Sequence, residues 1–306
     1  MIRIILRRLI ATIPVVFGVS TLTFLLIHFV PGDPVDIMLG ETASAADKAA
    51  LRAALGLERP LLEQYTSFLG NLLHLDLGTS LMSRQPVLDE ILARLPATIE
   101  LTLAAISIAV LAGIPLGVIA AIQRGRWADR AALIFGLLGI SVPNFWLAPM
   151  LILVFSIQLG WLPVSERGGI ESLVLPGVSL GLALSSILMR MTRASMLEVI
   201  NEDYIRTARA KGLSSFSLYF KHGLRNALMP VITILGLQFG SLLTGAVITE
   251  TIFDWPGIGT LFFQSIQQRN YPLVQGCVLF ISMTYVFVNL LTDLAYLWAN
   301  PKLRPA

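Results

Sequence analysis

Long apolar runs alternate with short basic or polar stretches along this chain. The first, Leu9–Val30, carries no Asp, Glu, Lys or Arg. Twenty-two helical residues rise about 33 Å, enough to cross the hydrocarbon core of a bilayer. Five further runs follow at Thr98–Ile122, Ala131–Leu159, Leu173–Met191, Val231–Ile252 and Leu273–Ala299. Pro143 and Pro149 inside the third predict a kink. The start resembles a secretory signal, with Arg3, Arg7 and Arg8 ahead of apolar residues. The run is too long for one, however, and Pro31-Gly-Asp-Pro34 follows it rather than a small-x-small cleavage site. It reads as an uncleaved first span.

Two stretches are too long to be simple connections. In 31–97, Leu61, Leu62, Tyr65, Phe68, Leu69, Leu72 and Leu73 recur at helical spacing. They predict an amphipathic helix lying on the membrane or on the helix bundle. The other, 192–230, mixes helix formers with basic residues. The expected division is an N-terminal span (1–30), an extracytoplasmic segment with an amphipathic helix (31–97) and a five-helix core (98–306) containing the loop 192–230.

Composition agrees with the pattern. Apolar residues make up 55% of the 306 and charged ones only 13%, with mean hydropathy +0.76. A soluble chain of this length needs about a quarter of its residues charged. Disordered chains are poor in apolar residues, so disorder is excluded too. The fold class is an all-α polytopic membrane protein of about six transmembrane helices. Of the 22 Lys and Arg, 15 fall in the stretches that share a side with both termini and seven in the others. The positive-inside rule then places both termini in the cytoplasm. The net charge of +3 is this topology signal and not a nucleic-acid surface.

Candidate chemistry is sparse. There is no phosphate-cradling G-x-x-x-x-G-K-[ST], no G-x-S-x-G and no H-E-x-x-H. His28, His74 and His222 lie far apart, and Cys277 is the only cysteine, so no metal site is expected. The chain reads as a non-catalytic conduit or scaffold whose energy, for uphill transport, comes from an ion gradient or another subunit. Glycines four apart (Gly113/Gly117, Gly177/Gly181, Gly236/Gly240) suit close packing between helices or subunits. Arg190 and Asp293, each at a span end, are expected to pair. Glu250 falls near the outer end of its span, where it snorkels or caps a loop.

The loop 192–230 is the most informative. Glu202 and Asp203 suit a helix start, Gly212 suits its end, and Pro230 suits re-entry into the membrane. A short helix projecting from a bundle suits docking to another protein; a basic loop serving only topology is the plainer reading.

The segment Asp203-Tyr-Ile-Arg-Thr-Ala-Arg-Ala-Lys-Gly212 resembles the "EAA" loop of bacterial ABC-importer permeases. Relative to the general Glu-Ala-Ala-x-x-x-Gly pattern, Arg206 and Thr207 replace the first two residues, as is common in the peptide-importer branch, while Ala208 and Gly212 match. Pro31-Gly-Asp-Pro34, Leu55-Gly-Leu57, Pro143-Asn-Phe-Trp146, Arg190-Met-Thr-Arg193, Arg225-Asn-Ala227, Glu250-Thr-Ile-Phe-Asp-Trp-Pro-Gly-Ile-Gly259 and Tyr271-Pro272 are similar to that branch as well, in the same order. The set resembles the B-type permease subunit of dipeptide, oligopeptide, glutathione or nickel importers.

The resemblance implies a type I importer-like permease fold and a heterodimer with a second permease. It also implies two ATPase subunits that bind ATP and Mg, an extracytoplasmic solute-binding protein, and residence in a bacterial or archaeal cytoplasmic membrane. Tyr204, Arg206, Thr207, Ala208, Arg209, Ala210, Lys211 and Gly212 would couple to the ATPase. Glu250, Trp255, Pro256 and Gly257 would form a turn at the outer gate, where Trp255 packs against the path or anchors at the interface. Peptide import is the expected function, with nickel or another small solute as the alternative cargo. A secondary carrier or channel is the alternative class, and a membrane anchor for a cytoplasmic enzyme a third.

Overall fold

A computed structural model describes residues 2–29, 35, 44–54, 58–165 and 167–299. The helices are α1 (Ile2–Phe29), α2 (Ala45–Ala54), α3 (Leu61–Leu73), α4 (Val87–Ile122), α5 (Trp127–Ser141) and α6 (Asn144–Leu151), which runs on as a π-helical turn, Ile152–Gln158. Then come α7 (Ile170–Val199), α8 (Asp203–Ala210), a second π-helical turn (Ser217–Gly223), α9 (Leu224–Gly245), α10 (Val247–Ile252), α11 (Ile258–Gln267) and α12 (Tyr271–Ala299). Among the described residues the only β pairing is an isolated bridge between Thr79 and Pro86.

Three described helices are long and apolar enough to span a membrane: α4, α7 and the Tyr271–Thr292 part of α12. The third expected span is broken. Its two halves, Trp127–Ser141 and Asn144–Gln158, meet at 104°. Pro143 sits at the corner with extended backbone (φ −67°, ψ 139°) and no N–H to continue the ladder. Helices α1 and α9, 28 and 22 residues long, occupy the positions of the other two runs. Pro230 lies inside α9 and not at its start. The helix begins a turn and a half earlier, straight out of the π-helical turn. The segment expected as Val231–Ile252 divides at Ala246 into α9 and α10.

The chain forms two compact units: Met1–Pro96 with Gly257–Val286, and Ala97–Pro256 with Phe287–Ala306. In the first, the expected amphipathic helix forms as α3 and lies on α1. Phe24 meets Tyr65 and Phe68 at ring-centroid distances of 5.2 and 5.6 Å, and the Tyr65 and Thr21 hydroxyls are 2.6 Å apart. A separate apolar core gathers Val87, Ile91, Ile258, Leu261, Leu273 and Cys277.

In the second unit, α7 is the hub, touching α5, α6, α9 and α10. The glycine pairs explain its closeness to α4. A Cβ on Gly113 would stand 2.6 Å from the Ser185 carbonyl oxygen, one on Gly117 2.6 Å from that of Met189, and one on Gly181 2.7 Å from that of Ala105. Two parallel backbones therefore touch over three helical turns, as small residues permit in lipid. These glycines pack helices within one chain. Gly117→Val puts a branched side chain against a fixed carbonyl. It is expected to cost about 1–3 kcal/mol or more, read as a lowered thermal midpoint in detergent, whereas Gly70→Ala, inside α3 with open space around it, does not lower the midpoint.

Candidate coupling segment and outer turn

Helix α7 leads directly into the coupling segment. Thirty residues rise about 45 Å against a core of about 30 Å, so α7 is longer than the core requires. Glu202, in extended conformation, starts α8, and Asp203 stands in its first turn. The helix stops after Ala210, and Gly212 takes φ +80°, a left-handed conformation that glycine adopts without a Cβ clash.

Three ties hold α8 to the protein. Ile205 is fully buried. The Tyr204 hydroxyl accepts from Asn226 Nδ2 at 2.7 Å, and Arg209 Nη2 donates to the Tyr219 hydroxyl at 3.0 Å. The elements beneath close around Met196, Val118, Ala121 and Ala227. The remaining side chains divide cleanly. Arg206, Thr207, Ala210, Lys211 and Gly212 are exposed, and Ala208 is half-buried. Arg206 reaches Asp203 only at 3.5 Å, with both side chains mostly in solvent, a contact worth little. The eight residues singled out in the sequence thus separate: Tyr204 and Arg209 are also braces, and the others present a basic, small-residue face. Asn226 and Tyr219, the partners of those braces, were not singled out as a pair; only their position one element later connects them. Tyr204→Phe removes one tie, and faster backbone hydrogen exchange across 203–210 with unchanged exchange in α4 is the expected result.

A second fixed point lies at the α4–α5 loop. Arg193 Nε and Nη2 bond the two carboxylate oxygens of Asp129 at 2.6 and 2.9 Å. Asp129 also accepts from the Gly125 N–H at 2.8 Å, and Gly125 turns the chain at φ +78°. The carboxylate therefore closes the loop and bolts it to α7. Arg190, one turn earlier, is exposed, with its stem over Gly136. The side chain of its expected partner, Asp293, lies outside the described residues, as do Pro31-Gly-Asp-Pro34 and Leu55-Gly-Leu57.

At the other end of α4, Arg167 makes a two-bond ion pair with Glu100. The turn expected at 250–257 is held from within. Glu250 is completely buried and accepts from the Thr98 hydroxyl at 2.8 Å. It does not snorkel to a solvated position. Asp254 takes a left-handed φ of +48°, so the flanking aromatics both turn inward. Phe253 packs with Ala148 and Leu175. Trp255, 1% exposed, packs with Leu101, Ala105, Leu180 and Ala246 and donates its indole N–H to the Ala97 carbonyl at 2.8 Å. Burial of this kind is packing and not interfacial anchoring. Pro256 is half-buried, and buried Gly257 precedes α11 in extended conformation.

A hub helix, a broken span and a short projecting helix make this an importer-permease fold, and solved structures agree. A chain of the methionine ABC transporter MetNI, captured in inward-facing conformations, matches with TM-score 0.55 at 18% identity, over 69% of this chain and 96% of that one. An amino acid ABC transporter crystallised with histidines matches with TM-score 0.53 at 17% identity, over 68% and 93%. Sequence comparison is closer. The glutathione transport system permease protein GsiC of Escherichia coli K12 is 43% identical over 304 residues, 99% of each chain. That of Shigella boydii serotype 4 is 42% identical over the same span. The family model for the binding-protein-dependent transport system inner membrane component matches residues 113–305, and its N-terminal companion matches 1–102. This chain belongs to that family: it is a multi-pass membrane permease of an ABC importer.

Proposed function

We propose that this chain imports small peptides, glutathione foremost, as one of two permeases working with two ATPase subunits and an extracytoplasmic solute-binding protein. The glutathione permeases it resembles over its whole length support that cargo. The chain itself carries no catalysis; its partners bind ATP and Mg. It crosses the membrane six times with both termini in the cytoplasm. Residues 1–30 form the first span, 31–97 the extracytoplasmic segment and 98–306 the transport core.

One observation carries the coupling role: α8 is tied down by Ile205, Tyr204 and Arg209 while Arg206, Thr207, Ala210, Lys211 and Gly212 face outward. A braced helix with a free basic face transmits a push from a docked ATPase into α7 and α9. Transport is then alternating access, a two-state equilibrium biased by ATP and by the loaded binding protein. The turn from Glu250 through Gly257 holds the outer gate region, and Arg190 pairs with Asp293 near the inner side.

Gly212 tests the coupling. A Cβ there meets nothing within 4 Å in this chain, so inside the chain an added side chain bears only the cost of the left-handed φ. Asp and Asn both tolerate left-handed φ. Gly212→Asp in the assembled system is expected to cut uptake by about tenfold or more, the effect of losing roughly 1.4 kcal/mol at a docking contact, while the permease still inserts and the ATPases still turn over. Gly212→Asn separates charge from bulk. Unchanged uptake in both variants would refute the docking role.

A further inference from the structure

A cleft of about 170 Å³ opens in the first unit beside the start of α4. It holds several times the roughly 30 Å³ share of one water. Its frame is a tight hairpin. Ser80 N–H bonds Gln85 O, Val87 N–H bonds Gly78 O, and Arg84 turns with φ +58°. Asn270, 1% exposed, fastens this hairpin by donating to Ser80 Oγ at 2.8 Å and accepting from the Leu81 N–H at 3.1 Å. The cleft is thus built from fixed parts.

Its charges are arranged unusually. Glu90 and Arg94 both line it, half-buried and one helical turn apart. Residues so spaced stand about 5–6 Å apart at Cβ and ordinarily pair. Here Ser83 donates to a Glu90 carboxylate oxygen, and Arg94 makes no ion pair among the described residues. Half-buried at the cleft wall and without an ion-pair partner among the described residues, the Arg94 guanidinium is available to an anion that enters. The amides of Gln264 and Gln268 stand exposed among the lining residues.

We propose that this cleft binds an α-amino-acid end group, a carboxylate and an ammonium on one carbon. Arg94 takes the carboxylate in a bidentate bond and the free oxygen of Glu90 takes the ammonium. The cargo identity rests on the glutathione reading above. Glutathione's γ-linked glutamyl residue keeps both α-charges on a single carbon, whereas an ordinary peptide separates them to its two ends. The cleft would therefore select γ-glutamyl over α-linked peptides at the outer surface.

The test uses the full chain with its co-purified partners in nanodiscs, without ATP, and radiolabelled glutathione and L-glutamate as probes. Wild type is expected to bind both and to reject N-acetylglutathione. Arg94→Gln and Glu90→Gln are each expected to weaken binding at least about tenfold, the value of one charge-assisted bond. Arg94→Lys should recover part of the loss, which a misfolded variant would not. Uptake is read separately, in proteoliposomes holding the same assembly with ATP supplied to the ATPase subunits. Glutathione uptake there that persists while neither probe's binding responds to Arg94→Gln and Glu90→Gln overturns the site and leaves the cargo reading standing. Arg94-dependent L-glutamate binding without any glutathione uptake supports the site and refutes the cargo.

Discussion

Trp255→Ala is expected to destabilise the chain by about 3–5 kcal/mol, the range for emptying a buried aromatic site. The indole fills the space between α4, α7 and the α9–α10 junction, touching Leu101, Leu180 and Ala246. Its N–H bond to Ala97 pins the turn to α4. Neighbouring backbones are already in contact at Gly181, so the bundle has little room to close the cavity. Trp255→Phe keeps most of the packing and loses the bond, a smaller cost of about 1 kcal/mol. The thermal midpoint of the purified protein in detergent measures both. A Trp255→Ala midpoint equal to that of wild type would mean that the turn is held by something other than this side chain.

Asp129→Ala carries the second large effect. It leaves the Arg193 guanidinium with 21% of its side chain exposed and its two-bond partner gone. It also frees the Gly125 N–H in a left-handed turn. Breaking one side of a buried pair costs about 3–5 kcal/mol, and partial exposure of Arg193 places this one at the lower end. Replacing both partners, Asp129→Ala with Arg193→Met, is expected to cost less than Asp129→Ala alone, because no unpaired charge remains. Additive losses across the cycle would show that the pair carries no coupling. Since Arg193 lies in the last third of the helix that leads to α8, Asp129→Ala should also lower coupled uptake.

Local features were legible in the sequence where the chemistry was local. Glu202, Asp203 and Gly212 bounded the short helix because caps act within one turn. Pro143 marked the break, and the leucine spacing of 61–73 gave the helix that lies on α1. Proline was less reliable at 230, where a π-helical turn hands directly into α9 and the ring is accommodated within the helix. Long-range polar partners were not legible. Thr98 and Glu250 are 152 positions apart, and Asp129 and Arg193 are 64 apart. Periodicity says which face a residue occupies but not which helix meets it. Arg190 looked like the charged residue in need of a partner, yet its neighbour Arg193, one turn on, faces Asp129. The Glu90 and Arg94 cleft was invisible for the same reason: its other walls come from the hairpin at 78–86 and from 261–273.

Co-purification shows whether α8 docks an ATPase. Tagged chain is drawn from membranes in mild detergent and its companions are identified by mass spectrometry, in parallel with Gly212→Asp. Wild type is expected to bring down an ATP-binding subunit and a second permease, and Gly212→Asp to bring down the second permease in full with about tenfold less of the ATP-binding subunit. Recovery of the wild-type chain only as a self-oligomer, with no ATPase in several detergents, would contradict that docking and point to a carrier or channel independent of ATP.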